Sequence, residues 1–360
     1  MSNQNINADT TRARLDAQSL EQRALHLPEA MREPFIWLGS YCREECSRDI
    51  DILQKQFTDL GFTHDKTTWS KILRGMWQQD AHGNATPAPC LAEDKFLKAV
   101  NALRSAARIK ELGGRVPFVL TPSAQRIFTF IDVKRAPDRI NKFGVIIGET
   151  GSQKSAATGE YQRRNNHGAV VKVEAPETPS MTQFMTDLAA CYGFNAQDGY
   201  LRKKNYVLGA VNSKKTIIVE NIQRLYDARS GDKQPIFSFL QKLQEDTGCT
   251  IILTLTPTFE RTLLAGLHKG FFEQFEGRAG GRKNFLRLDP YPGEDDVLAI
   301  AKAFGLQEAG KYAAELVKLA AQPGRIRYLF EVLQDAKIEA EAAKQKLTIT
   351  HVREITGGDL

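Results

Sequence analysis

The chain has 360 residues, of which 42% are apolar and 26% charged, and a formal net charge of +6 at pH 7. This balance is typical of a folded protein and excludes collagen-like and wholly disordered classes. No apolar run approaches the roughly 18–20 residues that span a bilayer, and the polar start of the chain lacks a signal-peptide pattern. We therefore expect a cytoplasmic protein with no membrane partner. Five cysteines in a chain of this size do not predict a disulfide framework.

Residues 1–92 are predicted to form a small α-helical N-terminal domain, which holds all three tryptophans. Within it, Leu53–Trp77 fits a helix–turn–helix, a motif whose second helix can enter a DNA major groove. The exposed face of that helix would carry Lys71 and Arg74, our candidate DNA contacts in this domain. The polar stretch Gln78–Pro89 is rich in turn-forming residues, and we expect it to be a linker.

Residues 93–292 are predicted to form an α/β domain with a helical lead-in, and residues 293–360 a helical lid. Continuous apolar runs alternate with helical stretches, which predicts a parallel sheet with helices on both faces. The predicted strands are Phe143–Ile147, Ala169–Val173, Thr216–Val219, Thr250–Thr256 and Phe285–Leu288.

The most specific motif follows the strand that ends at Ile147, where a glycine-rich turn leads into Lys-Ser and a helix. This is the context of a phosphate-binding P-loop, in which loop amides and the helix N-terminus face the phosphates. Lys154 would reach the β- and γ-phosphates of ATP, and Ser155 would hold Mg²⁺. Gln153 stands where the motif has glycine, and we expect its bulk to crowd the phosphates. The predicted nucleotide-binding residues are Gly148, Glu149, Thr150, Gly151, Ser152, Gln153, Lys154 and Ser155.

A second apolar strand ends at Glu220 and Asn221, where ATPases of this kind carry two acidic residues. Glu220 is predicted to act on the Mg²⁺ side and Asn221 on the attacking water; in the alternative register Glu220 is the base. Either way one carboxylate is missing, and an amide cannot take a proton from water, so hydrolysis is expected to be slow. Thr256, or Thr254 as second choice, would contact the γ-phosphate or the attacking water.

The order of P-loop, acidic strand, polar strand end and helical lid resembles the AAA+ ATPases. Within them it is similar to the DNA-transposition helpers Mu B, TnsC and TniB. The lead-in before the P-loop, the strand Leu253–Pro257 with its following helix, and the N-terminal helix–turn–helix carry the resemblance. The resemblance implies a homo-oligomer, either a ring or a helical filament, that assembles on duplex DNA with ATP and delivers target DNA to a transposase.

The resemblance also implies roles for arginines. Arg278, with Arg282 as second choice, would complete the active site of a neighbouring subunit. Arg327, with Arg325 as its neighbouring alternative, would be the nucleotide-sensing arginine of the lid. Arginine suits both roles because it is always charged and forks onto phosphate oxygens. The implied contacts to the DNA backbone are Arg202, Lys203 and Lys204, with Lys172 and Thr178 as further candidates.

Two other functions stay open at this point. A helicase loader or replication-initiation ATPase shares the P-loop, the lid and work on DNA, and stable binding to a replicative helicase would favour it. A degenerate ATPase that regulates a fixed DNA site would account for Gln153 and Asn221. Sequence-specific DNA binding without ATP, lost on changing Lys71 and Arg74, would favour that second function.

Overall fold

The computed structural model describes residues 15–87, 91–112, 118–165, 168–194, 198–226, 234–265 and 269–357. The beginning of the predicted N-terminal domain and residues 88 and 89 of the predicted linker lie outside these ranges. The chain divides into two compact units: residues 1–116, 164–171 and 185–211 form the first, and residues 117–163, 172–184 and 212–360 the second. Among the described residues, no helix is long and apolar enough to cross a membrane.

In chain order the elements are α1 (Ala17–Ala24), α2 (Glu29–Glu45), α3 (Ile50–Asp59), α4 (Lys66–Leu73), β1 (Trp77–Gln79), β2 (Ala85–Pro87), α5 (Glu93–Leu112), α6 (Pro122–Arg135), β3 (Phe143–Ile147), α7 (Lys154–Arg164), β4 (Val170–Glu174), α8 (Met181–Cys191), α9 (Tyr200–Ala210), β5 (Thr216–Glu220), α10 (Pro235–Thr247), β6 (Thr250–Leu255), α11 (Pro257–Ala265), α12 (Lys269–Arg278), β7 (Leu286–Arg287), α13 (Glu294–Phe304), α14 (Ala313–Ala320), α15 (Ile326–Ala342) and α16 (Ile349–Ile355). Short 3₁₀ turns lie at Ile222–Leu225, Arg282–Asn284 and Ala309–Tyr312.

The first unit is a helical bundle with an aromatic core. Phe57 of α3 stacks on Trp69 of α4 with ring centroids 3.8 Å apart, so the two helices of the predicted helix–turn–helix pack directly together. Helices α1, α3 and α4 each begin at an aspartate whose carboxylate accepts a backbone N–H of the first turn. Helix α9 also belongs to this unit, and the Tyr206 hydroxyl donates to the Tyr192 carbonyl within it.

Two features of this unit differ from the sequence prediction. The predicted linker contains an antiparallel hairpin, because β1 pairs with β2 across a polar turn. Helix α5, which the sequence analysis grouped with the ATPase core, buries Phe96 and Val100 in the cluster that also holds Phe35 and Trp69. The apolar face of α5 decides its packing, and residue 93 is therefore not a boundary of the compact unit.

The second unit is built on a five-stranded sheet in the order β4-β5-β6-β3-β7. Strand β3 pairs in parallel with both β6 and β7, and β5 pairs in parallel with β6, which confirms the predicted parallel sheet. Strands β3, β5 and β6 are buried along their whole length, as their apolar sequences require. Their carboxyl ends meet at one edge of the sheet, where ligands bind in open α/β folds.

Helices α13 to α16 form the lid around their own apolar core, which includes Val297, Leu329 and Val352. Val119, from the segment before α6, is buried in the same cluster. Asp296 of α13 accepts two hydrogen bonds from Ser123 of α6, one from its backbone N–H at 2.8 Å and one from its hydroxyl at 2.6 Å. The lead-in segment is thus part of the lid core.

Candidate functional site

The loop between β3 and α7 has the geometry of a P-loop. Gly151 has a φ of 82°, a conformation that an L side chain rarely adopts. A Cβ at Gly148 would lie 2.7 Å from the Ser152 hydroxyl, and one at Gly151 would lie 2.4 Å from the Gly324 carbonyl oxygen. Gly151 therefore has to be glycine, a side chain at Gly148 would have to displace the Ser152 hydroxyl, and the lid comes into direct contact with the loop at Gly324.

Lys154 points its ammonium group back into this loop. Its Nζ lies 2.5 Å from the Gly148 carbonyl oxygen, 2.9 Å from that of Glu149 and 3.3 Å from the Ser152 hydroxyl. Burial lowers the pKa of Lys154 to about 8, although the Glu149 and Glu220 carboxylates act to raise it. The loop therefore holds a cation at reduced hydration, which is the chemistry that attracts a phosphate group.

Gln153 occupies the position of the missing glycine with a φ of 65°. Its amide is held by the segment before α6: Oε1 accepts from the Thr121 hydroxyl at 2.8 Å, and Nε2 donates to the Val119 carbonyl at 3.4 Å. These partners differ from those of Lys154, so the Gln153 amide is anchored on the lead-in segment. A glutamine can therefore replace glycine here at the cost of a left-handed backbone, about 1–3 kcal/mol for such a residue.

Glu220 lies at the end of β5 and is only 4% exposed. One of its carboxylate oxygens accepts from the Thr158 hydroxyl at 2.5 Å, and the other lies 3.2 Å from the ammonium of Lys172. Thr158 is one helical turn after Lys154 on α7, so that spacing could have indicated it from the sequence. Lys172, a further DNA candidate from the sequence, forms an ion pair with Glu220.

Asn221 and the predicted threonines follow at the same edge of the sheet. Asn221 has a φ of 55°, its backbone N–H donates to the Thr254 hydroxyl at 3.2 Å, and its side-chain amide donates to Glu174 at 3.1 Å. The Thr256 hydroxyl accepts the Phe259 N–H at 3.3 Å and so caps α11. The second-choice Thr254 is thus the threonine that touches the end of β5.

An arginine of the lid reaches the P-loop. Arg325, directly before α15, donates from Nη1 to the Thr150 carbonyl at 2.8 Å, lies 3.8 Å from a Glu149 carboxylate oxygen and stacks over Tyr291. Arg327, the preferred candidate from the sequence, is exposed on α15. The structure therefore brings Arg325 to the loop and leaves Arg327 at the surface.

The other arginines of the second unit that the sequence singled out are exposed and paired. Arg278 forms an ion pair with Glu245, and Arg282 forms one with Glu276 at 2.9 Å. Both lie after α11 in the chain. The role implied for either arginine is to complete the active site of a neighbouring subunit.

The basic residues predicted for DNA in the first unit have different environments. Lys203 is 5% exposed and donates to the Thr186 hydroxyl at 2.9 Å, so it is removed from the predicted DNA surface. Arg202 is exposed and paired with Asp198 at 2.7 Å, and Lys204 is half-buried. On α4, Lys71 is half-buried and Arg74 is exposed, with its guanidinium on the Ser70 hydroxyl at 2.7 Å.

Two family models match this chain. Residues 139–263 match an AAA domain, and residues 290–356 match the C-terminal domain of the Mu B transposition protein. The chain therefore combines an AAA domain with a C-terminal domain of the Mu B type. The first match contains the P-loop and Glu220, and the second contains α13 to α16 with Arg325. No curated protein matches the chain in sequence.

Several solved structures are similar to this chain in fold. Cdc6p from Pyrobaculum aerophilum is 14% identical with a TM-score of 0.48, over 69% of this chain and 70% of that one. The Aeropyrum pernix ORC1 protein, solved in complex with DNA, is 19% identical with a TM-score of 0.45, over 68% and 67%. The Thermotoga maritima RuvB Holliday junction branch migration motor is 13% identical with a TM-score of 0.40, over 65% and 67%.

An AAA domain implies a nucleotide and a divalent metal ion. The loop fits the phosphates, since its two glycines leave the backbone bare, Lys154 supplies a positive charge and α7 presents its N-terminus. Oxygen ligands suit magnesium, and the exposed Ser155 and the Glu220 carboxylate supply them. The Glu220 carboxylate, however, already has the Lys172 cation beside it.

Proposed function

We propose that this protein is an ATP-dependent AAA+ regulator that assembles on duplex DNA and delivers target DNA to a transposase, or activates one. The observation that carries the proposal is the joining, in one compact unit, of a P-loop built around Lys154 and a lid that matches the Mu B transposition protein. The lid touches the loop at Gly324 and Arg325. Nucleotide at the loop would therefore alter contacts of the lid.

Each residue of the site has a task in this proposal. Lys154 would leave the carbonyl oxygens of the loop and bind phosphate oxygens of ATP. Arg325 would likewise leave the Thr150 carbonyl oxygen and bind a phosphate oxygen. The loop amides and the first turn of α7 would hold the remaining oxygens. Bound ATP would supply a transferable γ-phosphoryl group and the negative charge that these residues neutralise.

Hydrolysis is proposed to be slow. Asn221 stands where a water-activating carboxylate is expected, and an amide can orient water without taking its proton. Its side chain donates to Glu174, and the Glu220 carboxylate is held between Thr158 and Lys172. ATP would then act chiefly as an assembly signal, with hydrolysis limiting how soon the assembly comes apart.

The experiment is negative-stain electron microscopy of the full chain with duplex DNA in ATP, in ADP and without nucleotide. We expect rings or filaments with ATP only, and their loss in Lys154→Ala, because alanine removes the cation that the phosphates need. Lys242→Ala is the matched control, since Lys242 is exposed on α10 and pairs with Asp246. It should assemble like the wild type.

The other functions would give different results. Particles that bind a fixed DNA site equally well with and without ATP would contradict the proposal and favour the site-specific regulator. A stable complex with a replicative helicase, without nucleotide-driven assembly on bare duplex, would favour the loader.

Adding the transposase should speed ATP turnover if disassembly is the regulated step.

A further inference from the structure

Lys172 lies between the two residues predicted as metal ligands. It is on β4, and its Nζ is 3.2 Å from a Glu220 carboxylate oxygen and 3.4 Å from the Ser155 carbonyl oxygen. Gly159 of α7 faces the ammonium, and a Cβ there would lie 3.4 Å from Nζ. The helix therefore leaves room for the lysine to reach this position.

The carboxylate that Lys172 contacts is buried. Glu220 is 4% exposed, and its second oxygen receives the Thr158 hydroxyl at 2.5 Å, so both oxygens are engaged. A buried carboxylate needs a positive partner, and Lys172 supplies one from within the fold. A divalent ion drawn to the same carboxylate would meet an ammonium of like charge within a few ångströms, which weakens its binding.

We propose that Lys172 is a positioning residue that fixes Glu220 and supplies the positive charge that a divalent cation usually provides there. The site would then bind ATP with little dependence on a divalent cation. This inference rests on the proposed function, because it concerns the same nucleotide site. It also agrees with the presence of Asn221 in place of an acidic residue, because a site whose Glu220 carboxylate is neutralised by Lys172 is suited to holding ATP.

The test is equilibrium binding of a fluorescent ATP analogue to the full chain, in magnesium chloride and in EDTA. We expect wild-type affinity to differ by less than about threefold between the two conditions, and that of Lys172→Met by more than about tenfold. Without the ammonium, one Glu220 oxygen becomes available to the metal, and in EDTA the carboxylate lacks the cation that lay 3.2 Å from it. Lys242→Met, a change at an exposed lysine, should behave like the wild type.

Several outcomes would overturn the inference. The inference is rejected if the wild type loses threefold or more of its affinity for the ATP analogue in EDTA, even if no variant folds. It is also rejected if the affinity of Lys172→Met depends on magnesium no more than that of the wild type. Circular dichroism checks folding, and Lys172→Gln, which keeps a donor for Glu220, replaces Lys172→Met if that variant is unfolded. Strict magnesium dependence defeats this inference alone, whereas absence of binding in both conditions also defeats the proposed function.

Discussion

The ammonium of Lys154 lies among carbonyl and hydroxyl oxygens of its own loop, and burial lowers its pKa to about 8. The side chain is thus charged at neutral pH and loses its proton well before an ordinary lysine does. Phosphate binding needs the charged form. Affinity for ATP should therefore decrease as the pH rises through the pKa of this one residue.

We predict that ATP affinity falls about tenfold between pH 7 and pH 9, because the protonated fraction drops from about nine-tenths to about one-tenth. Fluorescence titration with an ATP analogue measures it. Lys154→Arg, whose guanidinium stays charged, should vary by less than about twofold over the same range. A wild-type affinity that is flat with pH, or an equal decline in both proteins, would show that Lys154 does not set the dependence.

At this scale the sequence predicted well what local spacing determines. Lys154 and Ser155 are found from their place after a buried strand, and the structure has them at the start of α7. Partners that come from distant segments gave no such signal: Lys172 reaches Glu220 across strands, and Thr121 holds Gln153. Arg325 and Arg327 are two residues apart, and only the lid packing distinguishes them.

Between elements, the turn of the lid at Gly324 comes close to the P-loop at Gly151. The Gly324 carbonyl oxygen would lie 2.4 Å from a Cβ on Gly151, and a backbone atom cannot rotate away as a side chain can. The glycine thus serves both the loop conformation and the seating of the lid.

We predict that Gly151→Ala destabilises the protein by about 1–3 kcal/mol, because alanine must adopt a positive φ and displace Gly324. Gly277→Ala is the matched control, since Gly277 lies in α12 with nothing within 4 Å of an added Cβ. In a helix that change should stabilise by up to about 1 kcal/mol. Urea unfolding measures both, and similar free energies of unfolding for the two variants would refute the close approach.

The strands of the sheet were predictable because short continuous apolar runs indicate buried strands in a chain of this composition. The β1–β2 hairpin was not predictable, because its strands are short and polar and only the pairing of β1 with β2 identifies them as strands. Helix α5 lies in the segment predicted as a helical lead-in, but a helical pattern does not reveal which core receives its apolar face.

At the scale of the whole molecule, Arg278 is the residue whose proposed role needs a second subunit. It is exposed at the end of α12 and pairs with Glu245, and an exposed ion pair contributes only about 0–1 kcal/mol. Removing the side chain should therefore leave the fold of a single subunit intact.

We predict that Arg278→Ala binds ATP at high dilution within about twofold of the wild type but assembles poorly on duplex DNA with ATP, because the family resemblance implies that this arginine completes the site of a neighbouring subunit. Arg261→Ala, at an exposed position on α11, is the control and should assemble normally. Anisotropy titration and electron microscopy supply the two readouts. A loss of ATP affinity in isolated subunits would contradict a role between subunits.

Assembly itself could be predicted only by resemblance, because a single chain carries no direct record of its neighbours. The division of the chain is different, since the structure revises it. The sequence suggested a boundary between residues 292 and 293, yet Asp296 holds Ser123, and Val119 lies in the lid core.

That tie has a consequence for dissecting the protein. A chain shortened at residue 292 would leave the Ser123 N–H without its acceptor and would expose Val119 to water. A truncation or a domain exchange should therefore keep or replace the segment before α6 together with the C-terminal helices. A chimaera that takes its C-terminal helices from a relative should take residues 118–123 from the same source.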